Sequence, residues 1–203
     1  MSFTDSDQAR LAVSRHAAEL FWKNGVGRTT GDAIAAAAGL STRTIWRYFR
    51  SKEACIEPLL LATELAFVTM LRKWPRDQSI EACLGVGMPT LVETEQQLRD
   101  AVAAARIVSI LPREPALRSA WLMACHQSEA TLAEIVAERL GVAPCLEIRI
   151  CSASIMAALR VVDEYISSSA INHGKTFTMK QTSDLLASAF RTTDTLSICD
   201  PVT

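Results

Sequence analysis

Two short amphipathic segments joined by three residues constrain this chain more than any other feature in it. The first starts at Thr30, turns Ile34, Ala37 and Ala38 to one face and stops at Gly39. Ser41 then caps a second segment over Thr42–Phe49. In the joint, Gly39-Leu40-Ser41, the glycine can take the positive φ that a sharp turn requires. Ala35 is small enough for two helices to cross closely, and Ile34, Leu40 and Ile45 supply a shared apolar contact. These features predict a helix-turn-helix. Its second helix presents Thr42, Arg43, Trp46 and Arg47 on the outer face by i, i+3, i+4 spacing. Hydrogen-bonding side chains near the N-terminus of such a helix are what meets base edges in a DNA major groove. The competing reading is an amphipathic hairpin with a solvated, charged face.

The remaining punctuation is also helical. Asp5, with Gln8 three residues on, is placed to cap a first helix that turns Leu11, Ala18, Phe21 and Trp22 inward, with Ala17 and Leu20 beside them, and stops at Gly25 and Gly27. Ser51 caps a fourth helix from Lys52, in which Pro58 lies deep enough to predict a kink or loosened turn before Trp74-Pro75 ends it. Further helices are expected from Ser79 (with Gly85, Gly87 and Pro89 as interruptions), over Gln97–Leu111, over Pro115–Leu140, from Pro144 to Ser169, and from a Thr178/Gln181 capping box to Phe190. Gly and Pro number only 15, alanine reaches 30 and aromatics are 6%, a balance that favours helices over sandwiches or barrels. The fold class is therefore all-α with about nine helices. Its expected division is a three-helix helix-turn-helix domain over 1–52 and a helical domain over 53–203. No apolar run approaches the ~18 residues that a membrane span requires, and Asp5 and Asp7 stand where a signal peptide would be basic, so a cytoplasmic protein without a membrane partner is expected.

Net charge is −1, yet residues 1–55 hold eight Lys/Arg against five Asp/Glu while the remainder is acidic. Over 28–52, Arg28, Arg43, Arg47, Arg50 and Lys52 face only Asp32, which suits a polyanion partner. The six cysteines form no Cys-x-x-Cys pair, and no histidine stands at ligand spacing, so no metal site and no cofactor are expected. The cysteines read as small buried hydrophobes, with a thiol switch as the rival. No phosphate loop, His-Glu-x-x-His or triad is present, and the adjacent Asp163 and Glu164 point about 100° apart on a helix. No catalytic residue is assigned; an all-helical enzyme is the reading of a different class.

The run Ala17–Gly25, then Thr29-Thr30, Ile34-Ala35, Ala38-Gly39-Leu40-Ser41 and Thr44–Glu53, resembles a TetR-family repressor over roughly the first 55 residues. The resemblance implies an all-helical homodimer with an N-terminal DNA-binding domain, a C-terminal effector-binding domain, and an intersubunit bundle built from the last two long helices. Matched positions imply that Thr30 donates to phosphate, that Thr42, Arg43 and Thr44 read bases or adjacent phosphates, and that Tyr48 and Lys52 grip the backbone, with Ser41 also among the DNA-binding residues. Arg43 is the candidate for a bidentate guanine contact. Two positions depart from the pattern. Gly31 replaces a bulkier residue, so no contact is carried over, and Trp46 replaces a tyrosine, exchanging a hydroxyl for an indole. Arg47 reads equally as a DNA contact or a solvated charge.

Residues 104–141 are similar to a branch of the family whose regulatory domain takes acyl-CoA-like ligands. In this domain Phe67, Trp121, Met123 and Met156 are candidates to line an apolar cavity, with Arg106, His126 or Arg160 as polar anchors. Together these expectations describe a ligand-responsive repressor with an operator, a small-molecule effector and a second copy of itself as partners. Ordinary core is the competing reading for each aromatic and methionine.

Overall fold

The computed structural model describes residues 4–202, and every regular element among them is helical. The order is α1 Asp5–Asn24, α2 Gly31–Ala37, α3 Thr42–Tyr48, α4 Glu57–Met70, α5 Ile80–Gly87, α6 Glu95–Ile110, α7 Pro115–Leu140, α8 Leu146–His173 and α9 Met179–Thr193. Short 3₁₀ turns cover Glu53–Ile56, Leu71–Lys73, Met88–Leu91 and Leu111–Arg113.

The caps explain most boundaries. Thr30 Oγ1 accepts from Ala33 N and Ser41 Oγ from Thr44 N, each serving an amide of the first turn. Gly39, Gly141 and Gly174 all sit at φ between 64° and 69°, so the glycine of the α2–α3 turn does the work its sequence predicts. The Thr178/Gln181 box opens α9 as expected, although the helix continues to Thr193. Elsewhere the caps shift. Thr4 with Asp7 caps α1 in place of Asp5 with Gln8, Thr94 with Gln97 opens α6 at Glu95, and Cys145 rather than Pro144 precedes α8, which runs to His173.

Pro58 departs from its expectation for a definable reason. Ser51 Oγ does accept from Ala54 N, but what it caps is the 3₁₀ turn, and α4 starts afresh at Glu57. Pro58 therefore lies in the first turn of α4, where its missing N–H leaves no bond unmade. The neighbouring Leu59 amide donates to the buried Ser14 Oγ of α1 at 3.0 Å, pinning the start of α4 to the helix-turn-helix. Glu53–Lys73 as a whole is long and apolar enough to cross a membrane by composition, contrary to the sequence reading. Here it is a core segment: Cys55, Ile56, Leu59, Leu60 and Val68 are buried, and α4 packs along α7.

Two apolar cores result. The first joins α1–α3 to Cys55–Leu60, the second half of α6 and the first half of α7. The second joins the end of α4, α5, the second half of α7, α8, α9 and the C-terminal Ile198 and Cys199. The core of the first fifty residues thus continues across position 52, the expected boundary, into the body. Trp22 is another exception: it stands 40% exposed, outside the core, under the guanidinium of Arg106 at 5.5 Å. In the second core Arg139 is buried and donates to the carbonyls of Pro75, Gln78, Ile198 and Asp200, tying down the chain's last described residues.

Removing the Ser14 hydroxyl leaves the Leu59 amide buried without a partner. Ser14→Ala is expected to cost about 1–3 kcal/mol, measured as a lowered urea midpoint, whereas Ser119→Ala on the exposed face of α7 should change little.

Candidate nucleic-acid interface and ligand cavity

The outer face of the helix-turn-helix is built by α3, anchored through the buried Ile45, and by the start of α2. Ser41 and Arg43 are exposed, with Thr42 and Thr44 half-buried beside them. Thr44 Oγ1 lies 2.9 Å from Ser41 Oγ, and the Thr42 hydroxyl donates to Asp32 Oδ1 at 2.6 Å. Asp32, which the sequence reading treated only as a charge, thus orients a residue of the candidate reading face. The Arg47 guanidinium stacks on the ring of Tyr48 at 5.2 Å, so these two side chains form one cationic-aromatic surface.

Lys52 has a more structural place than expected. Its Nζ donates to the carbonyls of Val26 and Thr29 at 2.7 and 2.8 Å and lies 4.0 Å from Glu53. Two of its three N–H groups hold the α1–α2 loop, so its first effect is to position Thr29-Thr30. Thr29 itself is buried, its hydroxyl donating to the carbonyls of Gly25 and Leu20.

The two departures at 31 and 46 are one feature. Gly31 is buried, and a Cβ built on it would lie 2.1 Å from the Trp46 ring. The indole occupies the volume that a larger residue at 31 would fill, while Trp46 keeps 47% of its surface exposed on the candidate face. Gly31 therefore sets where Trp46 stands.

Behind this face, at the seam between the two cores, lies a cavity of about 420 Å³, within the range of small-molecule sites. The lining drawn from the first core includes Ala104, Val108 and Trp121, and from the second Leu159 and Leu186. Helix α4 contributes Ala62, Thr63, Glu64 and Phe67, only three residues beyond the part pinned to the helix-turn-helix. Of the sequence candidates, Phe67 and Trp121 are in the lining. Met156 is buried in the second core but outside it, Met123 is exposed, and His126 is an exposed residue 3.8 Å from Glu129. Arg106 is on the outside of α6 against Trp22, and Arg160 is paired with Glu164. None of these three polar candidates is in the lining: Arg106 and His126 lie on other faces of α6 and α7, and Arg160 is held by Glu164.

The cavity's ionisable residues are instead Glu64, Asp100 and Asp163, and no basic residue lines it among the described residues. Asp100 accepts from Arg15 Nε and Nη2 of α1 at 2.8 and 2.7 Å and from Gln96, a direct polar link between the cavity wall and the helix-turn-helix. Burial, then the charge of Asp163, pushes the Glu64 carboxyl up to about 8; burial raises that of Asp163 to about 6, against the hydroxyl of Ser167. Glu64 had a sequence signal: it is the only charge in the run Leu59–Val68. The thiols of Cys55 and Cys83 are pushed by burial to about 12 and about 11, and those of Cys125, Cys151 and Cys199 are raised for the same cause, so these five are poor thiolates. Among the described residues no cluster could hold a metal ion.

Gly31→Ala should destabilise the protein by displacing the indole, and Trp46→Ala should cancel most of that loss in a double-mutant cycle followed by urea unfolding. Additive effects would contradict the packing. For Glu64 the sign follows from its raised value. Between about pH 4.3 and 8 the folded state keeps a proton that the unfolded state has released, so stability falls as pH rises. Glu64→Gln should therefore gain on the wild type from pH 5 to pH 8 in urea melts; a pH-independent difference would contradict this.

Comparison with known proteins agrees with the geometry. Residues 15–59 match the model of the bacterial regulatory proteins of the tetR family. The transcriptional regulator TcmR of Streptomyces glaucescens is 30% identical over 139 residues, a stretch spanning 66% of this chain and 62%, less than two thirds, of that protein's length. Salmonella enterica GusR superposes with a TM-score of 0.55 at 19% identity, covering 93% of this chain and 98% of that one. Thermus thermophilus FadR, a TetR-family repressor solved with lauroyl-CoA, superposes with a TM-score of 0.53 at 21% identity, covering 91% and 92%. With a helix-turn-helix at its N-terminus and an all-helical body behind it, the chain has the fold of these regulators and is similar to the tetR family over residues 15–59.

Proposed function

We propose that this chain is a cytoplasmic, ligand-responsive repressor that binds a pseudo-palindromic operator as a homodimer and leaves it when a small, largely apolar molecule fills the cavity. The observation that carries this reading is the position of the cavity. It lies where the two cores meet, with α4 as a shared wall and Asp100 reaching across to Arg15 of α1. A molecule that fits only one relative placement of the cores favours that placement by its differential affinity. If that placement spaces the two α3 helices wrongly for half-sites about 34–36 Å apart, operator affinity falls. The lever is α4 as a rigid unit and not a kink at Pro58, since its first turn is regular.

Arg43 supplies the specific contact, most simply to guanine, and Thr42, Thr44, Ser41 and Trp46 complete the reading face. Thr30, Tyr48 and Arg47 contact the backbone and set affinity. Lys52 acts through the loop it holds. Dimerisation uses α8 and α9: Leu146, Ile150, Val161 and Tyr165 are exposed apolar residues within one 100° arc of α8, and Met179 adds to them from α9. The relative solved with lauroyl-CoA suggests an acyl chain as one occupant. The carboxyls lining this cavity would keep the phosphates of such a ligand outside it.

Selection from a random duplex library, followed by binding across a salt series, tests the reading. A pseudo-palindromic site whose affinity falls steeply with salt is expected. Arg43→Ala should weaken that site by about 1–3 kcal/mol, roughly 10- to 150-fold, and relax choice at one base pair per half-site. Enrichment of no sequence would contradict the proposal.

A further inference from the structure

The cavity has room and apolar surface for a small molecule, but its polar groups are of one kind. Glu64 projects from α4 and Asp163 from α8, both into the lining, and no cation lies within ion-pair distance of either among the described residues. The arginines near enough to serve are committed elsewhere. Arg160 and Arg118 both hold Glu164, at 3.0 and 3.5 Å, and Arg15 holds Asp100. Asp163 receives one hydrogen bond, from Ser167 Oγ at 3.3 Å, whereas Glu64 has no hydrogen-bond partner in the described structure. A buried carboxyl is ordinarily matched by a cation or by several donors. Here two stand across an open space without either.

A second, independent polar group in the cavity wall also lacks a partner. Trp121 is 1% exposed, lines the cavity wall, and its indole N–H has no acceptor. With Phe67 it adds aromatic surface beside the two carboxyls, and the electron-rich faces of such rings attract cations. Carboxyls that lack a cation, aromatic rings and an otherwise aliphatic wall are a set complementary to a positive group on a hydrophobic body.

We propose that the effector cavity takes an apolar cation, a protonated amine or quaternary ammonium on a hydrophobic body, whose positive group sits between Glu64 and Asp163. This deepens the preceding reading and rests on it, in that it names the chemical class of the effector. The titratable and charged groups around the pair are Asp100 with Arg15 from α6 and α1, Cys125 from α7, and Arg160 and Glu164 from α8. In the empty cavity at neutral pH the raised Glu64 carboxyl keeps its proton, which avoids a second uncompensated charge. Arrival of the cation makes the carboxylate the favoured form. The O–H proton of Glu64 leaves to the buffer as the ion pair forms, and no covalent bond of the ligand is made or broken.

Decylammonium, decanol and decanoate share one apolar body and differ in charge, so titration calorimetry of the full-length protein with each isolates the claim. Decylammonium should bind at least about tenfold tighter than decanol, with decanoate weakest, and at pH 7 its binding should release protons, read from heats in buffers of different ionisation enthalpy. In Glu64→Gln the proton release should vanish, and in both Glu64→Gln and Asp163→Asn the preference for the amine over decanol should fall about tenfold or more. Should a variant fail to fold, the three-ligand order and proton release of the wild type still decide. Decanoate binding as tightly as the amine, undetectable amine binding at millimolar concentration, or an unchanged preference in both folded variants would overturn the proposal. Operator binding by the ligand-free wild type, measured alongside, separates the outcomes: its presence with the wrong ligand order sinks only the cationic class, and its absence sinks the regulator reading.

Discussion

The structure depends on how one apolar helix is shared. Helix α4 begins with Leu59 and Leu60 in the core of the helix-turn-helix, and its Leu59 amide is held by Ser14 of α1. Two turns later its Val68 and Met70 belong to the core of the body. Such a helix cannot shift at one end without disturbing packing at the other, because both cores are close-packed and resist continuous deformation. The cavity lies between those two anchor points, which is the physical basis for the proposed coupling of its contents to the helix-turn-helix.

The polar contacts reinforce the same connection at separate places. Arg15 and Asp100 bridge α1 to α6 at the cavity wall, partly screened from solvent, and the geometry is bidentate. Lys52, just before the 3₁₀ turn that leads into α4, holds the loop that carries Thr29 and Thr30. Motion of α4 therefore has a route to the start of α2 as well as to α1. At the other end, the Gly31–Trp46 packing and the Asp32–Thr42 hydrogen bond fix side chains on the candidate reading face.

Much of the N-terminal architecture was legible in the sequence, because caps and glycines act locally. Thr30, Ser41 and Gly39 each do what their residue types dictate. Tertiary relations were not legible. Gly31 and Trp46 looked like two unrelated departures until their packing showed one filling the space left by the other. Lys52 looked like a phosphate contact, since nothing local reveals that the loop carbonyls of Val26 and Thr29 face it. The cavity's polar groups were misassigned for the same reason. Helical spacing cannot say which face of α6 or α7 meets a void, so Arg106 and His126 were chosen for chemistry they are not placed to perform. Glu64, alone among apolar neighbours, was the local clue to the true lining.

The coupling of the cavity to the DNA-binding face is most directly tested by filling the cavity covalently. Ala101→Phe, from α6 into the lining, should behave as a permanent occupant. Operator affinity of this variant, measured on the selected site beside the wild type and beside Val86→Phe on the exposed surface of α5, is the decisive quantity. The account predicts that Ala101→Phe binds the operator at least about tenfold more weakly, with the salt dependence unchanged because the phosphate contacts are the same. A folded Ala101→Phe protein with wild-type operator affinity would contradict it.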